Sequence, residues 1–114
     1  MDILNIIFAV VTIGLGAVGW LAPKYTMETL NLTTHTDTMG TSEIRASAGA
    51  LFVGMGLGAM MIGTPTAFAM IGFCWLGAAL GRLSSLVMDG QTRKKWGFFG
   101  CEIVVALGAL FYNL

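Results

Sequence analysis

Charge is scarce in this chain. Of its 114 residues 11% are charged, six Lys+Arg balance six Asp+Glu, and there is one His. An ordinary soluble domain carries about 25% charged residues. A neutral chain without a basic face has no footprint for nucleic acid, so no nucleic-acid partner is expected. His35 stands in a Thr-rich stretch with no Cys or His at ligand spacing, which makes it a solvent-exposed loop residue rather than a metal ligand. The two cysteines, Cys74 and Cys101, form no Cys-x-x-Cys. Absent too are a His beside a nucleophile, a phosphate-cradling glycine loop, a histidine pair for haem and a polar segment long enough to hold a soluble site. An enzyme is therefore not expected, nor a resident metal or cofactor.

Apolar residues fill the space left by charge. They make up 56% of the chain, against roughly 45–50% in soluble domains. At about 20 residues per bilayer-spanning helix, four spans use about 80 residues and leave roughly 34 for ends and loops. The chain divides in that way. The uncharged run Ile3 to Ala22 forms the first span, stopped by Pro23 and Lys24. It is too long, and preceded by Asp2 rather than a basic residue, to read as a cleaved signal peptide. Spans over about 42–62, 65–88 and 95–112 follow, separated by Gly63-Thr64-Pro65 and by Asp89 to Lys94. Thr41 or Ser42 is a plausible cap for the second span, and Tyr25 to Leu32 a short helix in the interface. The expected fold is an all-α transmembrane four-helix bundle with antiparallel neighbours, one domain over 1–114, because short turns reverse helix direction.

Positive charges near the span ends give an orientation. Lys24, Arg93, Lys94 and Lys95 all lie on the side of loops 23–41 and 89–94, which the positive-inside rule places in the cytoplasm, with both termini outside. Trp20 and Trp96 fall where an interfacial aromatic belt is expected.

Small residues recur at four-residue spacing. Ala46, Ala50, Gly54 and Gly58 form one ridge and Gly77, Gly81 and Ser85 another. Such ridges let helices in lipid approach closely, so packing within the bundle is expected at Gly54, Gly58, Gly77 and Gly81.

Charges inside the spans carry more information. Arg82 lies seven residues before Asp89 and Glu102 seven after Lys95, so each sits about 10 Å below the same surface. Arg45 enters the second span from that side, with Glu43 and Asp89 near the surface. A charge at the centre of a span raises the insertion free energy by about 2.5–3.5 kcal/mol, so these groups should neutralise one another. Arg82 is expected to bond Glu102, and Arg45 to reach Asp89 or Glu43, although Glu43 and Arg45, two apart, point to different sides of their helix. Trp75, seven before Arg82, shares its face and puts an aromatic ring above the cluster. The first reading of this cluster is a salt-bridge staple that sets helix order. Alternatives are a polar pocket for a ligand headgroup or proton, and an intersubunit contact. Cys74 lies about 22 Å and Cys101 about 9 Å below the surface, too far apart in depth to bridge. Eight Met and seven Phe leave a surface that a quinone, carotenoid pigment or lipid tail would find congenial.

Glu43-Ile44-Arg45-Ala46 followed by Gly49, then Gly81-Arg82 with Asp89-Gly90 beyond it, then Glu102 in the last span, resemble the pattern of a bacterial family of small four-helix membrane proteins known only as a domain of unknown function. The layout is more distantly similar to the DoxX-like group. The resemblance covers nearly the whole chain and implies a four-helix bundle in a bacterial inner membrane, with no activity attached. The Thr-rich first loop and the lack of a basic C-terminal tail depart from the usual form. The resulting expectation is a non-catalytic accessory subunit of a larger membrane complex of respiratory or photosynthetic type, with the lipid bilayer and other membrane subunits as partners. The rivals are a stand-alone binder or carrier of an apolar ligand such as quinone or lipid, and a DoxX-like partner in electron transfer.

Overall fold

A computed structural model describes residues 2–34 and 37–114. His35 lies outside the described residues. Among the described residues five helices follow in order: α1 (Ile3–Leu21), α2 (Pro23–Thr29), α3 (Met39–Ile62), α4 (Pro65–Met88) and α5 (Arg93–Asn113). Four of them, α1, α3, α4 and α5, are long and apolar enough to cross a membrane. With 19, 24, 24 and 21 residues, they measure roughly 28 to 36 Å, against a hydrocarbon core of about 30 Å.

Local chemistry explains where they begin and end. The side chains of Asp2, Thr64 and Thr92 accept from the amides of Leu4, Ala67 and Lys95 at 3.1, 3.3 and 3.1 Å, each satisfying an orphan donor of the first turn. Pro23 and Pro65 occupy first-turn positions, where a missing N–H costs nothing. Gly90, at φ +92°, follows the last residues of α4 in a left-handed conformation that favours glycine. The second span starts at Met39, earlier than expected, because Asp37 accepts from the Met39 amide at 3.1 Å. The short helix starts at Pro23 rather than Tyr25 for the proline reason just given, and α5 at Arg93 because Thr92 caps it.

The chain divides into two compact units, Asp2–Met61 and Ile62–Leu114. In the first, the buried residues of α1 are Asn5, Ala9, Thr12, Gly16 and Gly19, spaced alternately four and three apart. This is the 3.5-residue period of a helix seam. α3 meets that seam through a π-helical turn, Ala46–Ala50, made of small residues. A Cβ on Gly49 would lie 2.6 Å from the Trp20 nitrogen, one on Gly16 2.6 Å from the Gly49 oxygen, and one on Gly19 would run into the Ala48 carbonyl. Backbone there meets backbone, which only glycine permits.

In the second unit the buried residues of α4 include Phe68, Gly72, Trp75, Ala79 and Leu86, again on alternating steps, and Arg82 fills the one step between Ala79 and Leu86. Gly72 lies against Ala109 and Leu110 of α5, while Arg82 lies against Glu102. Partner numbers on α5 thus fall as numbers on α4 rise.

The glycines expected to mark helix packing do not do so within their own units. Among the described residues, a Cβ at Gly54, Gly58, Gly77 or Gly81 would meet no atom within 4 Å. A row of residues four apart winds around the helix by about 40° per step, whereas alternating four and three holds one face. The close approaches fall on the alternating positions Gly16, Gly19, Gly49, Gly56 and Gly72.

Gly19→Val should therefore destabilise the protein by about 1–3 kcal/mol, because its obstacle is backbone that cannot swing aside. Gly54→Ala should stay within about 0.5 kcal/mol of the parent. Unfolding titrations in detergent micelles compare the two.

Candidate functional site

Arg82 on α4 and Glu102 on α5 meet through two hydrogen bonds. Arg82 Nε donates to Oε1 at 3.1 Å and Nη2 to Oε2 at 3.3 Å. Two parallel bonds of this kind use the planar fork of the guanidinium, which a lysine does not have. The Arg82 side chain is 31% exposed and the Glu102 side chain 12%. The guanidinium carbon also stands 5.2 Å from the centre of the Phe98 ring, a cation–π distance. Phe98 precedes Glu102 by four residues, so ring and carboxylate project from one face of α5 on successive turns. Together they enclose the positive charge from two directions.

Phe98 is the residue that sequence reasoning missed. Its signal was the four-residue step to Glu102. Trp75, expected above the cluster, is buried on α4, but the ring over Arg82 is that of Phe98.

Arg45 is held differently. Its Nη1 donates to the Trp20 carbonyl oxygen at 2.7 Å. Trp20 is next to last in α1, so its carbonyl has no partner within the helix and a cationic side chain is suited to satisfy it. The expected bond to Glu43 is not formed. Glu43 is exposed at the start of α3, and its backbone oxygen accepts from the Ser47 hydroxyl at 2.6 Å. Asp89 is an exposed C-cap residue whose amide donates to the Ser85 oxygen. A helix end with a spare carbonyl thus takes the place of a carboxylate as the partner of Arg45.

The Arg82–Glu102 pair is held in a two-bonded fork between α4 and α5. Such a pair ties α4 to α5 and gives each charged group a partner. Among the described residues, no group of three His, Cys, Asp or Glu is placed to hold a metal ion. Cys74 and Cys101 are free thiols.

A family model described as Domain of unknown function (DUF4345) matches residues 1–113. The chain belongs to this family. No curated protein and no solved structure matches it.

Arg82→Leu should cost about 3 kcal/mol, the low end for breaking a buried pair, because it leaves Glu102 unpaired in an apolar setting. Adding Glu102→Gln should recover part of that loss. A coupling of at least about 0.5 kcal/mol in the double-mutant cycle is the expected outcome, and additive losses would separate the two side chains.

Proposed function

We propose that this member of the DUF4345 family is a non-catalytic accessory subunit of a larger membrane assembly, of respiratory or photosynthetic type, in a bacterial inner membrane. Its four long helices cross the bilayer as an antiparallel bundle, with loops 23–41 and 89–94 cytoplasmic and both termini periplasmic. Lys24, Arg93, Lys94 and Lys95 support that orientation.

The observation that carries the reading is the contrast between two sets of glycines. Those at 16, 19, 49, 56 and 72 are closed by neighbours within their own unit, whereas Gly54, Gly58, Gly77 and Gly81 meet nothing of theirs. Glycines four apart that their own unit leaves uncovered offer a neighbouring helix the close backbone approach that association in lipid requires. Around them, Leu57, Met61, Phe73 and Leu80 are exposed, an apolar surface suited equally to acyl chains and to another span.

Purification of the tagged chain in mild detergent tests the proposal. Co-migration with one stoichiometric larger complex is expected, and Gly54→Leu with Gly58→Leu should abolish it while the released chain keeps its thermal stability. Migration of the wild-type chain alone would contradict it. Orientation is read separately. Cysteine placed at 114, in a background lacking Cys74 and Cys101, should react with an impermeant thiol reagent from the periplasmic side.

A further inference from the structure

The two arginines that enter the spans are neutralised to different degrees. Arg82 has a carboxylate. Arg45 has a carbonyl dipole, which satisfies one N–H group and leaves the full positive charge uncancelled. Among the described residues of its own unit no carboxylate lies within bonding reach of Arg45, and Nη1 is the one guanidinium nitrogen given a partner. Arg45 is six residues into α3, roughly 9 Å from its first turn. That depth suits the zone between lipid headgroups and hydrocarbon. An uncancelled guanidinium is costly there, and its counter-ion has to come from outside the unit.

The surroundings indicate which anion. A groove of about 520 Å³ lies beside Arg45, lined by Trp20 of α1 and, along α3, by Thr41 and Ser42 and then Ala46 and Ala50. A second groove of about 370 Å³ shares Thr41 and adds Lys24 and Glu28. The guanidinium with several hydroxyls, followed along α3 by small apolar side chains, matches the two halves of an amphiphile, while the adjoining groove adds one cation and one carboxylate, Lys24 and Glu28. A guanidinium takes phosphate as a fork, and an indole at this level belongs to the interface. The bulk of the groove matches a headgroup with the start of a chain, not a bare phosphate ion.

We infer that Arg45, with Thr41 and Ser42 beside it and Lys24 in the adjoining groove, binds the phosphate of an anionic phospholipid whose acyl chain lies along Ala46 and Ala50. The Thr-rich stretch before α3 then has a chemical use, as a neutral hydroxyl collar around the headgroup. This site is independent of any subunit role.

Native mass spectrometry of the full chain in dodecyl maltoside, titrated with dioleoyl phosphatidylglycerol or dioleoyl phosphatidylcholine, tests the assignment. The wild type should bind phosphatidylglycerol about tenfold more tightly than phosphatidylcholine, and Arg45→Gln should erase that preference. Thr41→Val with Ser42→Ala, which leaves the bond from Arg45 to Trp20 in place, should weaken phosphatidylglycerol several-fold and decides the matter if Arg45→Gln fails to fold. Equal binding of both lipids by the wild type, or an unchanged preference in the folded variants, overturns the proposal. Millimolar inorganic phosphate should not displace the lipid. Full displacement would assign the site to free phosphate and overturn the lipid.

Discussion

Hydrocarbon solvates neither charge nor dipole, so every polar group carried into it has to be matched by another group on the chain or by something bound against it. The structure follows this constraint closely. Among the described residues, no buried side-chain nitrogen or oxygen lacks a hydrogen-bond partner. The buried Thr12 hydroxyl donates back to the Phe8 carbonyl at 2.8 Å, and the Asn113 amide donates to the Ala109 carbonyl at 2.7 Å. Arg82, the largest such liability in its unit, sits between a carboxylate and an aromatic ring. Its position on the stripe of Phe68, Gly72, Trp75, Ala79 and Leu86 turns that neutralisation into a packing element.

The remaining cohesion comes from shape. Lipid supplies no hydrophobic force between helices, so they hold together by close packing and by bonds between them. In the first unit this takes the form of backbone against backbone at Gly16, Gly19 and Gly49, with the π-helical turn of α3 at the closest approach. In the second it takes the form of larger side chains, Phe68 and Ile71 among the most buried, together with the ion pair. Two units of one chain thus use opposite means, the smallest residues in one and a charged fork in the other.

Much of this was legible in the residues. Long uncharged runs bounded by Pro, Gly and capping Thr located the four long helices to within a few residues, because length, apolarity and caps are strong local signals. The Arg82–Glu102 pair followed from matched depth, since helix rise converts sequence distance into height. What was hidden depended on direction around a helix or on backbone atoms. Gly54, Gly58, Gly77 and Gly81 satisfied a spacing rule without lying on the buried faces of their own units, which an alternating four-three pattern marks, as at residues 5, 9, 12, 16 and 19. The partner of Arg45 is a carbonyl, which any residue type at position 20 would supply, so nothing in the residue names announced it. The π-helical turn over Ala46–Ala50 was equally silent.

One arginine and one glutamate, carried by neighbouring helices of the second unit, hold each other's charge in balance. Exchanging them tests it most directly. Arg82→Glu and Glu102→Arg singly place like charges together and should each sharply lower the amount of folded protein recovered from the membrane, whereas the exchanged pair, carrying both changes, should return most of it. An exchanged pair recovered no better than the worse single variant would show that the two groups do not act through each other.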